Sequence, residues 1–575
     1  MSHKLKSQTI RSLLEFSGEN YNKRGALRIV TDKELTFTYT QLLKSVDAMA
    51  TYLLHNGIKE GDKIAILGDS HPHWVIAYFA IVSCKAVAVP ILPEFSAKEI
   101  ETILEHSESK GVVVSTKLFD KISTFGTEEE NFLIRLDDLF HIPYTVSTTL
   151  KSSSEFSDAP GRDLLRTKIN KKRINELVAE EDEIASIIYT SGTTGASKGV
   201  MLTNKNLTSN AHASIKQFFK IKKGMRFLSI LPLSHSYEFT IGMLLPILTG
   251  CEINYLGKPP AASLLLPALK EYRPHVMLSV PLLIEKIYRS SVVPQIEKNE
   301  RLQKLYKRSF FRKFINSVIG KKLKRTFGGK LKFFGVGGAA LDLEVEKFLK
   351  EAKFPYAIGY GLTETSPLLA GSGPKQTKVG TVGYPLKGVQ LKVVNKDQKT
   401  KVGEIVAKGD NIMVGYYKNE QLTDESFTED GYFRTGDLGL IEWNRLSIKG
   451  RSKTMILGPG GENIYPEAIE FLFNNRPYVL ESLVLSDEGG LAAMIRLDLE
   501  LMAENLKISI VDAKENAASY ISQLKEEVNK ELSSFSRVRQ VELQKEPFQR
   551  TPTLKIKRYL YNLKQSLTQN KEEQE

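Results

Sequence analysis

The sequence predicts an α/β protein with more than one domain, and three observations lead to this fold class. The chain has 575 residues, which is more than one hydrophobic core usually serves. Helical and strand-like segments alternate from Gly18 to about Ser115, an order typical of layered α/β architectures. A short apolar run ending at Ile188 leads into a loop of glycines and hydroxyl residues. Such a loop offers backbone N–H groups that can surround an anion.

The composition is that of a globular protein, with 41% apolar residues and a formal net charge of +13. The two cysteines, Cys84 and Cys251, give neither a disulfide framework nor a metal-ligand spacing. A reducing compartment such as the cytoplasm is therefore the simplest expectation. Residues 1–17 lack the continuous apolar core of a secretory signal, so we expect no such signal there.

One segment, residues 74–92, is long and apolar enough to be considered as a membrane span. Lys85 interrupts it past the middle, and Pro90 follows a short apolar run. We therefore predict a helix over residues 74–83 and then a short buried strand that proline stops.

The remaining elements of the first part follow from hydrophobic periodicity. Residues 123–180 are mostly polar and predict only a connecting or elaborating segment. The predicted elements are helices at Tyr39–His55 and Ala97–Ser107, and strands at Lys63–Leu67 and residues 111–115.

The loop after Ile188 ends at Lys198, whose mobile ammonium suits a polyphosphate. It is not a Walker A loop, because no Lys-Ser or Lys-Thr pair stands at the required spacing. The string Tyr-Thr-Ser-Gly-Thr-Thr-Gly-x-x-Lys-Gly-Val, residues 189–200, resembles the phosphate loop of the adenylate-forming enzymes. That superfamily includes acyl-CoA synthetases, non-ribosomal peptide adenylation domains and beetle luciferases.

Further segments resemble the same family in its order along most of the chain, most closely the long-chain fatty-acid–CoA ligases. The resemblance implies a large multi-layer N-terminal adenylation domain over residues 1–450 and a small mobile α+β C-terminal domain over residues 451–575. It also implies that the loop binds ATP and that its first threonine lies at the metal. The loop residues concerned are Thr190, Ser191, Gly192, Thr193, Thr194, Gly195 and Lys198.

Two further segments resemble the acyl and adenine sides of the family's site. Leu231 to Glu238 reads Pro-Leu-Ser-His-Ser-Tyr-Glu after its first leucine. The resemblance assigns His235 to the acyl pocket, where it positions the carboxylate, and makes Tyr237 a candidate gate. The turn Gly337-Gly338-Ala339 resembles the adenine-side loop, and Gly338 is its expected nucleotide contact.

The string Gly359-Tyr-Gly-Leu-Thr-Glu-Thr brings an aromatic ring, a hydroxyl and a carboxylate into a few positions. Tyr360 is able to stack on adenine, with Gly361 allowing close approach. Thr363 is able to hydrogen-bond a phosphate, and Glu364 is the hard oxygen ligand that magnesium prefers. The family resemblance supports these roles over that of an ordinary capped turn.

The nucleotide site would be completed by a second acidic turn and a basic strand end. Asp437, in Thr-Gly-Asp, is the expected ligand of the ribose hydroxyls. The segment from Ile448 to Lys453 resembles the family's hinge, which makes Arg451 a nucleotide contact and Lys453 the pivot.

The C-terminal part contributes a glycine loop and a basic tail. Gly460 and Gly461 are expected to line the route of CoA, although Leu457 stands where some family members have an active-site lysine. The tail, residues 549–558, resembles the closing motif of long-chain acyl-CoA synthetases. It makes Lys555 the expected catalytic lysine of adenylation, with Lys557 as the competitor.

The implied reaction joins a fatty acid to CoA in two steps, with ATP and Mg²⁺ and an acyl-adenylate intermediate. Two alternatives stay open: transfer to an acyl-carrier protein, and a binding protein that kept the fold without catalysis. Residues 298–332 are strongly basic and interleaved with apolar residues. They predict amphipathic helices, either solvated on the surface or in peripheral contact with the anionic inner face of a membrane. Nucleic acid is a poorer candidate, because no recognition motif accompanies the charge.

Overall fold

A computed structural model describes residues 5–122, 125, 131–190, 197–218, 220–297, 300–457, 463–487, 490–551 and 556–561. The strands, in chain order, are β1 (Gly25–Ile29), β2 (Thr36–Thr38), β3 (Lys63–Leu67), β4 (Val87–Ile91), β5 (Ser109–Val114), β6 (Phe132–Arg135), β7 (Phe140–Ile142), β8 (Arg162–Asp163), β9 (Ile184–Thr190), β10 (Lys198–Thr203), β11 (Arg226–Ser229), β12 (Glu252–Tyr255), β13 (Val276–Ser279), β14 (Phe333–Val336), β15 (Tyr356–Gly361), β16 (Leu368–Gly371), β17 (Tyr384–Pro385), β18 (Gln390–Val394), β19 (Gly403–Lys408), β20 (Gly415–Tyr416), β21 (Phe433–Glu442), β22 (Arg445–Arg451), β23 (Ile456–Leu457), β24 (Asn463–Ile464), β25 (Val479–Asp487), β26 (Gly490–Leu497) and β27 (Val538–Leu543).

Helices surround these strands, and two π-helical stretches occur at Glu238–Leu244 and Tyr288–Val292. The α-helices are α1 (Ile10–Tyr21), α2 (Tyr39–His55), α3 (Pro72–Ser83), α4 (Ala97–Ser107), α5 (Tyr144–Ser147), α6 (Ser153–Asp158), α7 (Lys171–Glu176), α8 (Asn204–Gln217), α9 (Leu245–Leu248), α10 (Ala262–Tyr272), α11 (Pro281–Ile287), α12 (Val293–Glu297), α13 (Glu300–Tyr306), α14 (Ser309–Thr326), α15 (Leu343–Glu351), α16 (Glu420–Glu425), α17 (Pro466–Asn474), α18 (Leu499–Leu506) and α19 (Ile510–Asn529).

Two large sheets form the layers of the N-terminal part, in the orders β17-β16-β15-β14-β13-β11-β12-β1-β2 and β20-β10-β9-β4-β3-β5-β6-β7-β8. Helix α3 is buried along its whole length. It packs against α2, against β1 of the first sheet and against β3 and β4 of the second. This apolar helix is therefore a core element between two sheets, and the predicted helix over residues 74–83 is confirmed, with its start two residues earlier. Among the described residues, no helix is long and apolar enough to cross a membrane.

Local sequence signals set several helix starts. Thr38 accepts a hydrogen bond from the Gln41 amide at the start of α2, and the Gln41 side chain returns one to Thr38. Ser96 and Glu99 form the same reciprocal pair at the start of α4. Such capping boxes satisfy amide groups that have no partner within the helix. The predicted bounds of both helices are confirmed.

One prediction in this part was wrong. The strand before Pro90 does not stop there, because β4 continues to Ile91, with Pro90 opposite Ile66 of β3. On the other side, β4 is in register with β9 only at Ala88 and Ser186, so the missing N–H of proline costs no ladder bond there. Residues 123–180 form an elaborating segment, one of the two predicted alternatives, since β6, β7 and β8 extend the second sheet.

A smaller sheet, in the order β18-β19-β21-β22, leads into the C-terminal part. There β25, β26 and β27 form their own sheet with α17 and α19 packed on it. Ile464, Phe473, Ile495, Ile521 and Val528 belong to a hydrophobic cluster separate from those of the larger part. The chain thus combines a large α/β part with a smaller α+β part that has its own core.

Candidate functional site

The expected phosphate loop joins the antiparallel strands β9 and β10 at the edge of the second sheet. Thr190 and Lys198 are direct partners in this pairing, and both are half-buried. Ser191, Gly192, Thr193, Thr194 and Gly195 lie outside the described residues, so their predicted roles stay predictions. The two ends of the loop are nevertheless fixed side by side, because apolar residues of β9 anchor the hairpin in the core.

Tyr416 connects Lys198 to Glu364. It lies on β20, which pairs with β10, and the ammonium of Lys198 stands 5.5 Å from its ring centroid. The Tyr416 hydroxyl donates a hydrogen bond to Oε1 of Glu364, 2.9 Å away. Sequence analysis did not single out this tyrosine.

Lys198 has an unusual electrostatic environment. Burial lowers its pKa, the nearby charge of Lys453 lowers it further, and the Glu364 carboxylate opposes both effects. The structure therefore brings one predicted phosphate-binding cation, one predicted metal ligand and the predicted pivot into electrostatic contact. A site with two cations and one carboxylate is suited to a polyphosphate with its metal ion.

Glu364 belongs to the turn at Thr363–Thr365 that follows β15. The side-chain amides of Asn210 and Asn411 each donate hydrogen bonds to the carbonyls of Thr365 and Leu368. These two asparagines come from α8 and from the segment before β20, and their side chains are buried. They fix the backbone that presents Glu364, and no local motif in the sequence indicated them.

Glycine is required at two positions of the predicted site. A Cβ on Gly361 would lie 1.7 Å from the carbonyl oxygen of Pro367, so any other residue would displace that strand. Gly338 has a φ of +87°, a left-handed conformation that side chains disfavour. Gly361 agrees with the expectation of closely approaching backbone, whereas Gly338 is exposed, and nucleotide contact by either glycine stays a prediction.

Asp437 is buried at the end of a hydrogen-bonded chain. Its Oδ1 lies 3.0 Å from Nε of Arg451, which is its direct partner across β21 and β22. Its Oδ2 accepts a hydrogen bond of 2.8 Å from the Tyr360 hydroxyl. Three predicted nucleotide contacts therefore meet at one carboxylate. Each carboxylate oxygen retains a further lone pair for a hydroxyl donor.

The predicted acyl side adjoins the turn that carries Glu364 through a weak contact. The Ser236 hydroxyl lies 3.5 Å from Oγ1 of Thr363. His235 is half-buried just before it. The Tyr237 ring lies over Gly335 and Gly337, where an added Cβ would come within 2.6 and 3.2 Å of it. The side chain thus occupies the space that these two glycines leave open, and its role as a gate stays a prediction.

Glu238 is almost completely buried behind Tyr237. Its Oε2 has no hydrogen-bond partner among the described residues. Burial raises the pKa of Glu238 to about 8, with the neighbouring Ser229 hydroxyl opposing the shift. The carboxyl is accordingly neutral in most molecules at neutral pH.

The predicted pivot directly follows the Asp437 region. Both the amide and the hydroxyl of Ser452 donate to the carbonyl of Gly436, at 2.9 and 3.0 Å, while Lys453 is exposed. On the small part, the Thr454 hydroxyl donates to Glu467 of α17 at 2.5 Å. Arg289 reaches the end of α17, donating to the carbonyl of Asn474 and to the side chain of Asn475.

The basic tail is attached to the small part by ion pairs to two buried carboxylates. Arg550 pairs with Glu481, and Arg558 pairs with Glu470 at 2.5 Å. Burial raises the pKa of Glu470 to about 7, and the Arg558 charge opposes the shift. Lys555, Gly460 and Gly461 lie outside the described residues. The choice between Lys555 and the half-buried Lys557 stays a prediction.

Comparison with known proteins relates this arrangement to one family. The profile of the family described as AMP-binding enzyme matches residues 15–417. The long-chain-fatty-acid–CoA ligase FadD15 of Mycobacterium bovis is 29% identical over 486 residues, covering 80% of this chain and 77% of that protein.

A second curated relative and a solved structure extend the comparison. The chloroplastic long-chain-fatty-acid–[acyl-carrier-protein] ligase AEE15 of Arabidopsis thaliana is 28% identical, covering 94% of this chain and 83% of that protein. The crystal structure of ATP-bound MatB from Rhodopseudomonas palustris superposes with a TM-score of 0.72 at 21% identity, covering 96% and 98% of the two chains. At that identity the likeness concerns the fold alone.

Proposed function

This chain belongs to the AMP-binding enzyme family, and from that premise we propose that it is a long-chain fatty-acid–CoA ligase acting in the cytoplasm. ATP would convert a fatty carboxylate into an acyl-adenylate, and the acyl group would then pass to CoA. The observation that carries most weight is that Tyr416 contacts both Lys198, through its ring, and Glu364, through its hydroxyl. The curated relatives named for long-chain acids support the substrate class.

In the first half-reaction, a carboxylate oxygen attacks the α-phosphorus of ATP. The bond to the β-phosphate oxygen breaks, and pyrophosphate leaves. Both reactants are anionic, so alignment and charge neutralisation dominate the barrier. Lys198 and the loop around Thr190 supply positive charge and hydrogen-bond donors to the phosphates. His235 orients the fatty carboxylate.

The half-buried Glu364 fits a magnesium ion, because one oxygen is oriented by Tyr416 and magnesium usually takes one or two carboxylates beside phosphate oxygens. When bound, the ion would neutralise charge on the departing pyrophosphate. Thr190 and Glu364 are the residues proposed to hold it.

The nucleoside would rest on the hydrogen-bonded chain around Asp437. The two carboxylate oxygens accept from the ribose hydroxyls, and Arg451 and Tyr360 keep the carboxylate in place. The Tyr360 ring, Gly361 and Gly338 then surround the adenine, with Thr363 toward the phosphates.

In the second half-reaction, the small domain, residues 451–575, turns about Lys453 and withdraws Lys555. The CoA sulfur attacks the acyl carbonyl carbon, the bond from that carbon to the AMP oxygen breaks, and AMP leaves. Gly460 and Gly461 would line the route of the thiol. A second candidate acceptor is an acyl-carrier protein, which is favoured by the similarity to a relative named as an acyl-carrier-protein ligase.

The deciding experiment crosses short, medium and long fatty acids against CoA and an acyl-carrier protein, with ATP and Mg²⁺. We expect pyrophosphate release and a CoA thioester with long acids. Pyrophosphate release with only an acyl-carrier thioester would move the acceptor, and no pyrophosphate release with any acid would refute adenylation.

The lysine assignment has its own test in the Lys555→Ala variant. Adenylation should fall by about 10³-fold or more, because one preorganised cation at the reacting phosphate is lost. Thioester formation from supplied acyl-adenylate should persist. Equal loss of both half-reactions would contradict the role, and Lys557→Ala is the matched control.

A further inference from the structure

The longest helix of the basic segment, α14, presents an apolar and cationic face that no described residue covers. Phe310, Phe314 and Val318 recur at four-residue intervals and are 79%, 65% and 51% exposed. Residues four apart lie on one side of a helix. The three side chains therefore form a ridge along the first half of α14.

Cations continue the same face toward the C-terminal end of α14. Lys321, Lys322 and Arg325 follow Val318 at intervals of three and four residues and are exposed. The whole of residues 301–341 contains no Asp or Glu. At 1.5 Å per residue the ridge and the cations together span about 23 Å.

The orientation of this face is fixed from the opposite side of the helix. Asn316 is buried and hydrogen-bonds both Tyr306 and Glu351, and Arg312 pairs with Glu351 at 2.9 Å. Gly320 packs so closely that a Cβ would lie 2.0 Å from the carbonyl oxygen of Ala352. The phenylalanines consequently cannot rotate into the core without breaking these contacts.

We propose that the exposed face of α14 docks on an anionic lipid bilayer. The strongly exposed phenylalanines among the described residues, Phe310, Phe311 and Phe314, all lie on this one helix. Rings that enter the boundary between headgroups and acyl chains lose their contact with water, while neighbouring cations bind anionic headgroups. An acidic carrier protein would match the cations but leaves a convex row of rings without a groove.

The proposal is independent of the reaction, so it is tested by binding of the full chain to vesicles. Sedimentation is compared between pure phosphatidylcholine and a mixture with about 30% phosphatidylglycerol. We expect binding to the anionic vesicles that weakens when salt rises from about 0.1 M to 0.5 M.

Two variants separate the apolar and the ionic contribution. Phe310→Ser with Phe314→Ser should weaken the partition at least tenfold, whereas Trp443→Ser, at a 91% exposed aromatic residue elsewhere, should not. Lys321→Gln with Lys322→Gln and Arg325→Gln should weaken it about a hundredfold. The same charge removed at exposed Lys387, Lys396 and Lys401 should have a much smaller effect.

A fluorescence measurement locates the helix directly. In a Phe314→Trp variant that also carries Trp443→Phe, brominated lipid chains should quench the emission strongly. The unsubstituted protein, whose tryptophans are the buried Trp74 and Trp443, which lies outside α14, should be quenched weakly. Vesicle binding that is unchanged in the α14 variants would overturn the proposal. Variants that lose only their binding to an acyl-carrier protein would also overturn it.

Discussion

The carboxyl groups on the two sides of the candidate site have opposite surroundings. Asp437, on the expected nucleotide side, lies between the Arg451 guanidinium and the Tyr360 hydroxyl. Glu238, on the expected acyl side, is buried with one oxygen unpartnered among the described residues, and burial raises its pKa to about 8. A carboxylate that must accept hydroxyl donors benefits from a cation that keeps it charged. A neutral carboxyl instead carries no fixed charge that would repel the carboxylate of an expected acyl substrate.

The largest expected effect concerns the nucleotide side. Glu364→Gln should lower ATP–pyrophosphate exchange by about 10²–10³-fold, because a preorganised charge at the phosphates is lost. The exchange rate at saturating ATP measures it. Glu425→Gln is the matched control, since Glu425 also acts on the Lys198 charge but is exposed. Comparable losses in both variants would argue against metal binding by Glu364.

The small domain provides a paired buried carboxyl for comparison with Glu238. Arg558→Ala leaves Glu470 buried without its arginine and should destabilise the domain by about 3 kcal/mol at pH 9, where the carboxyl is charged. Urea unfolding measures the change. Because the pKa of Glu470 is raised to about 7, the loss should shrink in acid, where the carboxyl is neutral. Arg537→Ala, at an exposed arginine, should cost little, and an equal cost there would contradict this account.

The unpaired carboxyl predicts a pH dependence of stability. The folded-state pKa of Glu238 lies above its unfolded value, so folding retains a proton that the unfolded chain releases between about pH 5 and 8. Its contribution to stability is present below that range and declines by about 1.4 kcal/mol per pH unit across it. Glu238→Gln should remove this decline. Urea unfolding at several pH values tests it, and parallel curves for both proteins would contradict it.

The smallest expected effect belongs to the residue that orients Glu364. Tyr416→Phe removes one hydrogen bond while leaving the ring under Lys198, so exchange should fall only about three- to tenfold. Tyr417→Phe is the control, because that hydroxyl contacts Glu108 at the surface instead. A loss as large as that of Glu364→Gln would mean that the tyrosine does more than orient the carboxylate.

The sequence predicted those site residues that lie in short contiguous strings. Glu364 and Asp437 are examples, since small neighbours and a family motif accompany each. Tyr416, Asn210 and Asn411 escaped prediction, because they reach the site from separate segments and each alone is an ordinary tyrosine or asparagine. The strands of residues 123–180 escaped for another reason. They are two to four residues long at a sheet edge, too short for a clear alternation of apolar and polar residues.

The hydrogen bonds between Ser452 and Gly436 have a consequence for domain rotation. They tie the chain to the large part of the protein at the residue before Lys453, and Arg451, the partner of Asp437, comes directly before Ser452. If Lys453 is the pivot, the small domain rotates about a point next to the expected ribose site. In such a rotation, residues near the pivot move little, whereas residues farther along α17 move more. The hydrogen bonds from Arg289 to Asn474 and Asn475 would then have to break before the small domain rotates.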